Sequence, residues 1–173
     1  IVACLLSANL KLRGHLSVQI RGAGPIKWVM AECRQLSNDP EQPFRVKGMA
    51  QVDGVVGADA SFIELVADGR LIITIEPDQG QRYQGIVALE NGSLAEVLEA
   101  YFAQSEQLGA RFWLASDGQT SSGLMLQQLP AQLSEGTARE EQWHHLCTLA
   151  ETISSAELLD LPSETLLFKL YHE

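Results

Sequence analysis

Cysteine is scarce: among 173 residues only Cys4, Cys33 and Cys147 occur, far apart and with no C-x-C or C-x-x-C pair. An odd count without close spacing excludes a disulfide scaffold and a zinc finger, and suits reduced thiols in a cytoplasmic protein. Long apolar runs are missing too. The longest, Ile1 to Leu10, ends at Lys11 and is far short of a membrane span, so a soluble chain is expected. Basic charge is sparse, with 12 Lys+Arg against 22 Asp+Glu and a formal net charge of -10. The cations stand singly along the sequence, so no local basic patch is expected and the acidic body disfavours nucleic acid. Also absent are G-x-S-x-G, the phosphate-cradling P-loop and H-E-x-x-H, which removes the usual footholds of serine hydrolases, NTPases and zinc proteases. Ile-Val-Ala-Cys at 1–4 lacks the basic region and long apolar run of a lipoprotein leader, and the chain reads as a piece beginning inside a buried helix.

What is present is ordinary globular composition, 46% hydrophobic and 20% charged, enough for one compact domain with a sizeable core. Helical spacing of apolar residues runs through 1–13 and stops at Gly14. Leu16–Ile20 alternates as a half-buried strand, and Arg21-Gly-Ala-Gly-Pro25 turns the chain into a second strand over 26–35. Phe44, Val46 and Gly48–Val52 make a third. A short helix near 60–67 is expected to close at Asp68-Gly69, with the glycine left-handed. Leu71–Ile75 and Tyr83–Leu89 flank Pro77-Asp-Gln-Gly80 as a hairpin. Ser93-x-x-Glu96 is a capping box, opening a helix whose face is Leu94, Val97, Leu98, Tyr101, Phe102 and Leu108. Phe112–Ala115 and Leu124–Leu129 form another hairpin, with Asp117-Gly118 and Ser121–Gly123 in its turn. From Glu140 on the pattern is helical, with a second capping box at Ser154-x-x-Glu157 and a break at Pro162-Ser163. Antiparallel hairpins with helices between them mean α+β, layered. Residues 1–135 are read as the core, and 136–173 as a helical C-terminal part of the same domain.

The strongest metal candidate is Glu141, His144 and Cys147, each three apart, which a helix would bring to one face. Alone, without a second E-x-x-H and further carboxylates, such a set is more often a helix surface, with one histidine packed beneath Trp143 and the other in solvent. Gly22-x-Gly24-Pro25 lacks the third glycine and following helix of a dinucleotide site and reads as a turn. His15 reads as a solvent-facing residue at a strand entrance. No catalytic residues and no bound cofactor are expected. The C-terminal Leu158, Leu159, Leu161, Leu166, Leu167, Phe168, Leu170 and Tyr171 offer more apolar surface than two short helices can seat on one side, and any excess left exposed would mark a protein-binding or dimerisation surface.

Several segments together point to a family. Leu6–Leu12, Leu16–Pro25, Ile72–Pro77 with Gln81-Arg-Tyr-Gln-Gly-Ile-Val-Ala-Leu89, Tyr101-Phe-Ala-Gln-Ser-Glu-Gln-Leu108, Gly123–Pro130 and Leu170-Tyr-His-Glu173 closely resemble, in order, the bacterial thirty-three-kilodalton heat-shock protein, a redox-regulated holdase. The resemblance implies a core with a long helix sandwiched between two mostly antiparallel sheets. It implies ATP-independent binding of unfolded client proteins under oxidative or heat stress, in the cytoplasm and as a homodimer. The family's zinc-bound redox switch lies in a C-terminal domain absent from these residues, and none of Cys4, Cys33 or Cys147 matches a switch cysteine. No pair of these three is brought together by local sequence, so client holding is expected to be the same with peroxide or with reductant. The alternative from another class is a small metal-dependent hydrolase using Glu141, His144 and Cys147.

Overall fold

A computed structural model describes residues 1–10, 13–35, 44–57, 59–90, 92–130 and 136–172. The chain divides into two compact units, Val2–Val97 and Leu98–Glu173 with Ile1. It is α+β, with both sheets antiparallel throughout.

The first unit is built on one five-stranded sheet. After α1 (Val2–Asn9) come β1 (Gly14–Arg21), β2 (Ile26–Gln35) and β3 (Arg45–Val52), then α2 (Phe62–Val66), β4 (Gly69–Pro77) and β5 (Tyr83–Leu89). Strand order is β3-β2-β1-β4-β5, so β1 is central and β3 and β5 are edges. Period-two patterning decides the faces. Leu16, Val18 and Ile20 are buried, and their partners across β4, Ile75, Ile73 and Leu71, share that face with Cys33 of β2. Helix α1 covers it with Val2, Ala3, Leu6 and Ser7. The opposite face carries His15, Ser17, Gln19 and Arg21 of β1. Leu12, expected to extend α1, lies outside the described residues.

The expected close of α2 needs correction. The left-handed residues closing α2 are Ala67 and Asp68, not Gly69. Gly69 begins β4, and a Cβ there would come 2.9 Å from Leu89 Cδ1 and 3.0 Å from the Arg21 carbonyl oxygen, so its smallness serves close approach. Gly22 and Gly24 do make a turn, pressed against the end of α2. A Cβ on Gly22 would sit 1.8 Å from the Val66 carbonyl oxygen, and the amides of Ala23 and Gly24 donate to the carbonyls of Ala67 (2.8 Å) and Val66 (3.2 Å).

The second unit holds most of α3 (Leu94–Ser105), the hairpin β6 (Ala110–Ser116) and β7 (Ser121–Gln127), then α4 (Gly136–Ala150), α5 (Ser155–Asp160) and α6 (Ser163–Tyr171). Ser93 caps α3 as expected: Glu96 accepts from the Ser93 amide at 2.6 Å while Ser93 Oγ accepts from the Glu96 amide at 3.3 Å. That helix ends at Ser105, so Leu108 packs half-buried beyond it, after a left-handed Gln107. The β6–β7 turn is Asp117–Thr120. Asp117 Oδ1 accepts from the amides of Gln119 (2.8 Å) and Thr120 (2.7 Å), leaving Ser121–Gly123 free to pair in the strand. Leu158, Leu166 and Leu170 form a core with Trp113, Leu124 and Ile153 packed against it.

Candidate functional site

The metal candidate does not assemble. On α4, Glu141, His144 and His145 are exposed while Cys147 is 7% exposed and buried. Both histidines face solvent, which corrects the expectation that one packs beneath Trp143. The helix advances 100° per residue, and here that is enough to turn Cys147 inward and leave its two partners in water. Among the described residues no three His, Cys, Asp or Glu side chains gather as a metal would require. Burial pushes the Cys147 thiol pKa up, opposite to what a ligand needs. Next to Cys147 lies a structural ion cluster: Arg111 reaches Glu151 at 3.1 Å and Glu99 at 3.3 Å and stands over the Trp113 ring. The Glu99 oxygen also accepts the Phe112 amide at 3.0 Å, which ties α3 to β6.

His15 is less solvent-facing than expected. Its Nδ1 sits 3.0 Å from Glu32 Oε1, with both side chains about one-third exposed. The cysteines also depart from expectation. Cys33, fully buried, is in hydrogen-bonding contact with the side chains of Ser7 and Cys4, and burial chiefly raises its pKa. Positions 4 and 7 share one face of α1, and packing that face on β2 brings together two thiols 29 residues apart, a contact local sequence does not contain.

What the first unit does present is a broad face turned away from α1. Register places Met49, Met30, Gln19, Ile72 and Ile86 in a single row across all five strands. Met49 and Ile86 are each 57% exposed. In the adjoining row stand Gln51, Trp28, Arg21, Arg70 and Ala88, with Trp28 Nε1 donating to Gln51 Oε1 at 2.8 Å. Two depressions open on this face. One, of about 680 Å³, is lined by Trp28, Met30, Met49, Gln19 and Arg21; the other, of about 440 Å³, by Arg21, Arg70, Ile72, Ile86 and Asp68. Edge strand β3 is exposed along its whole length, Val46, Met49 and Val52 included, and Val55 and Val56 beyond it are exposed too. In the second unit Leu167 and Phe168 of α6 are exposed while Leu166 and Leu170 are buried, so the apolar excess expected in this segment does reach solvent.

The charge pattern also differs from expectation. Cations that stand singly in sequence become direct cross-strand neighbours: Arg21 opposite Arg70, and Arg34 opposite Arg45. Antiparallel register, which joins positions 49 residues apart, does what sequence proximity does not. The sequence signal is a lone arginine at the end of β1 and another at the start of β4, and it has no meaning until the register is known.

The described residues present a two-sheet α+β fold with a wide exposed apolar face, the kind of surface that marks protein interaction sites. Comparison with known proteins narrows this. Residues 1–173 match the family described as Hsp33 protein. A 33 kDa chaperonin of Pseudomonas paraeruginosa is 49% identical over 173 residues, 99% of this chain and 56% of that protein. One of Azotobacter vinelandii is likewise 49% identical with the same coverage. The crystal structure of a 33 kDa chaperonin from Thermotoga maritima matches with a TM-score of 0.76 at 20% identity, over all of this chain and 60% of that one, which supports the fold. The chain belongs to the Hsp33 family, and it spans a little over half the length of these relatives.

Proposed function

We propose that this chain is the client-holding core of an ATP-independent chaperone, binding unfolded proteins through exposed apolar surface without turnover. The observation that carries the reading is the row Met49–Met30–Gln19–Ile72–Ile86 with Trp28 beside it, on a sheet face whose two ends stand open in the first unit. Unfolded chains share apolar surface but no sequence, so a broad face suits them better than a shaped pocket. A net charge of -10 keeps such a molecule dispersed while that face is exposed. The relatives' name, 33 kDa chaperonin, agrees. No helix among the described residues is long and apolar enough to cross a membrane, and a cytoplasmic homodimer is part of this proposal.

Zinc is no part of the activity proposed for these residues, and neither is enzymatic turnover. Neither the geometry of Glu141, His144 and Cys147 nor the comparisons favour the metal-dependent hydrolase. The test is suppression of light scattering as a thermally unfolding client aggregates. Near-stoichiometric chain should suppress it, with or without a strong chelator. No suppression at several-fold molar excess would overturn the reading, and suppression lost on chelation would overturn the metal-free part of it.

A further inference from the structure

The outer face of the large sheet holds a charge arrangement that general apolar binding does not explain. Arg21 and Arg70 are directly opposed in register on the central strand β1 and its neighbour β4, and both are exposed. Like charges placed directly opposite destabilise a sheet. No carboxylate among the described residues forms an ion pair with either guanidinium. Further along the same face, two and three rows from the arginines, Glu32 is engaged by His15 and Glu76 by Arg82, at 3.0 Å each. Asp68 lines the depression beside Arg70 without reaching it as an ion pair. In a chain of net charge -10 this is a cationic point on the shared rim of two apolar depressions, Arg21 lining both, Arg70 the second and Lys27 the first.

We propose that this face binds an extended segment of non-native polypeptide in which an Asp or Glu lies between two apolar residues at alternate positions. Its carboxylate meets Arg21 and Arg70, and its apolar side chains enter the Trp28/Met30/Met49 and Ile72/Ile86 depressions. This deepens the chaperone reading above and rests on it. Dimensions agree with the assignment. Strands lie about 4.8 Å apart, so the Met30/Met49 and Ile72/Ile86 pairs are separated by three spacings, about 14 Å. In an extended chain, residues i−2 and i+2 are about 13 Å apart and project to the same side as residue i. The occupant therefore crosses the strands, and one face of five residues spans both depressions with the carboxylate between them. The apolar linings favour a peptide over a polyanion, which would engage the guanidiniums and leave Ile72 and Ile86 unused. A second copy of this chain is disfavoured as occupant, because the same face would bring Arg21 and Arg70 against their own kind.

Three labelled peptides test this by fluorescence anisotropy against the intact 173-residue chain: extended, with Leu at alternate positions around a central Glu, Gln or Lys. The Glu peptide should bind about tenfold tighter than the Lys peptide, the Gln peptide falling between. The difference should shrink severalfold near 1 M salt, where charges are screened beyond about 3 Å. Arg21→Glu with Arg70→Glu, its folding checked by circular dichroism, should reverse the order of the Glu and Lys peptides. Since the three peptides are compared on the parent chain, the result stands even where the double variant does not fold. Equal binding of all three with aggregation suppression intact would overturn this assignment and leave the chaperone reading standing. Absence of both peptide binding and suppression would overturn both. Inorganic polyphosphate displacing the Glu peptide, with Ile72→Ser and Ile86→Ser leaving the peptide's affinity unchanged, would show an anion site alone and overturn the peptide class.

Discussion

Phe102 shows how much a single residue carries in the second unit. It is buried, its ring 5.7 Å from that of Phe112. Phe102→Ala should cost about 3–5 kcal/mol, the range for emptying a buried aromatic site. A urea midpoint shift equivalent to less than about 1 kcal/mol would place the ring at the surface. Glu157 is a surface group whose ionisation is tied to the fold. Lys169, and then the amide and hydroxyl of Ser154, hold its carboxyl down to about 2 from an ordinary 4.5. Because the folded value is the lower one, the stabilising effect is complete above about pH 4.5 and is lost as pH falls towards 2. Glu157→Gln should therefore leave the acid limb of the pH–stability curve shallower in that window, and carboxyl NMR titration should put Glu157 near the bottom of all carboxylates. Among the thiols, Cys4 is half-exposed whereas burial raises the pKa of Cys33 and Cys147. A thiol reagent at neutral pH should modify Cys4 quickly and the other two only as the chain opens. Fast modification of all three would contradict the burial.

At the scale of elements, helix starts are the most local feature and the most legible. Ser61, Ser93 and Ser154 each accept an amide three residues on, and Glu64, Glu96 and Glu157 return the bond to the cap amide. Ser154→Ala should cost about 1 kcal/mol by thermal or chemical denaturation. A cost within error of zero would mean water replaces the hydroxyl freely at this exposed cap. The joint between the β1–β2 turn and α2 is tighter. Gly22→Ala sets a methyl against a backbone carbonyl that cannot rotate away, so the loss should exceed that of the cap variant, about 1–3 kcal/mol for an overpacked contact. Tolerance of alanine there would require the turn to move off α2, readable as lost protection of the Ala23 amide in hydrogen exchange.

For the whole molecule, the proposed client holding depends on what is left uncovered. Leu16, Ile73 and Leu71 disappear beneath α1 while the opposite face keeps Met49 and Ile86 in water. Replacing exposed apolar side chains leaves the core unchanged. Met49→Ser with Ile86→Ser should therefore alter stability little, within about 0.5 kcal/mol, as surface changes do. Client holding should nonetheless fall severalfold in the scattering assay. Undiminished suppression would move the client surface elsewhere, with the exposed Leu167 and Phe168 of α6 the next place to test.

Local chemistry determined a good deal by itself. The alternation in Leu16–Ile20 set which face of β1 is buried, the β-branched run Leu71–Ile75 and its turn set the β4–β5 hairpin, and the serine–glutamate boxes set helix starts, because each depends on neighbours a few residues away. Family membership was legible for the same reason, as ordered runs of residues. Only the tertiary structure decided which residues meet across long separations: Cys4 with Cys33, Arg21 with Arg70, and Gly22 with Val66. The candidate surface belongs wholly to that second kind. Its five-residue row draws one residue from each strand, and strand order and register, which close loops of very different length, are properties of the assembled sheet that no window of sequence contains.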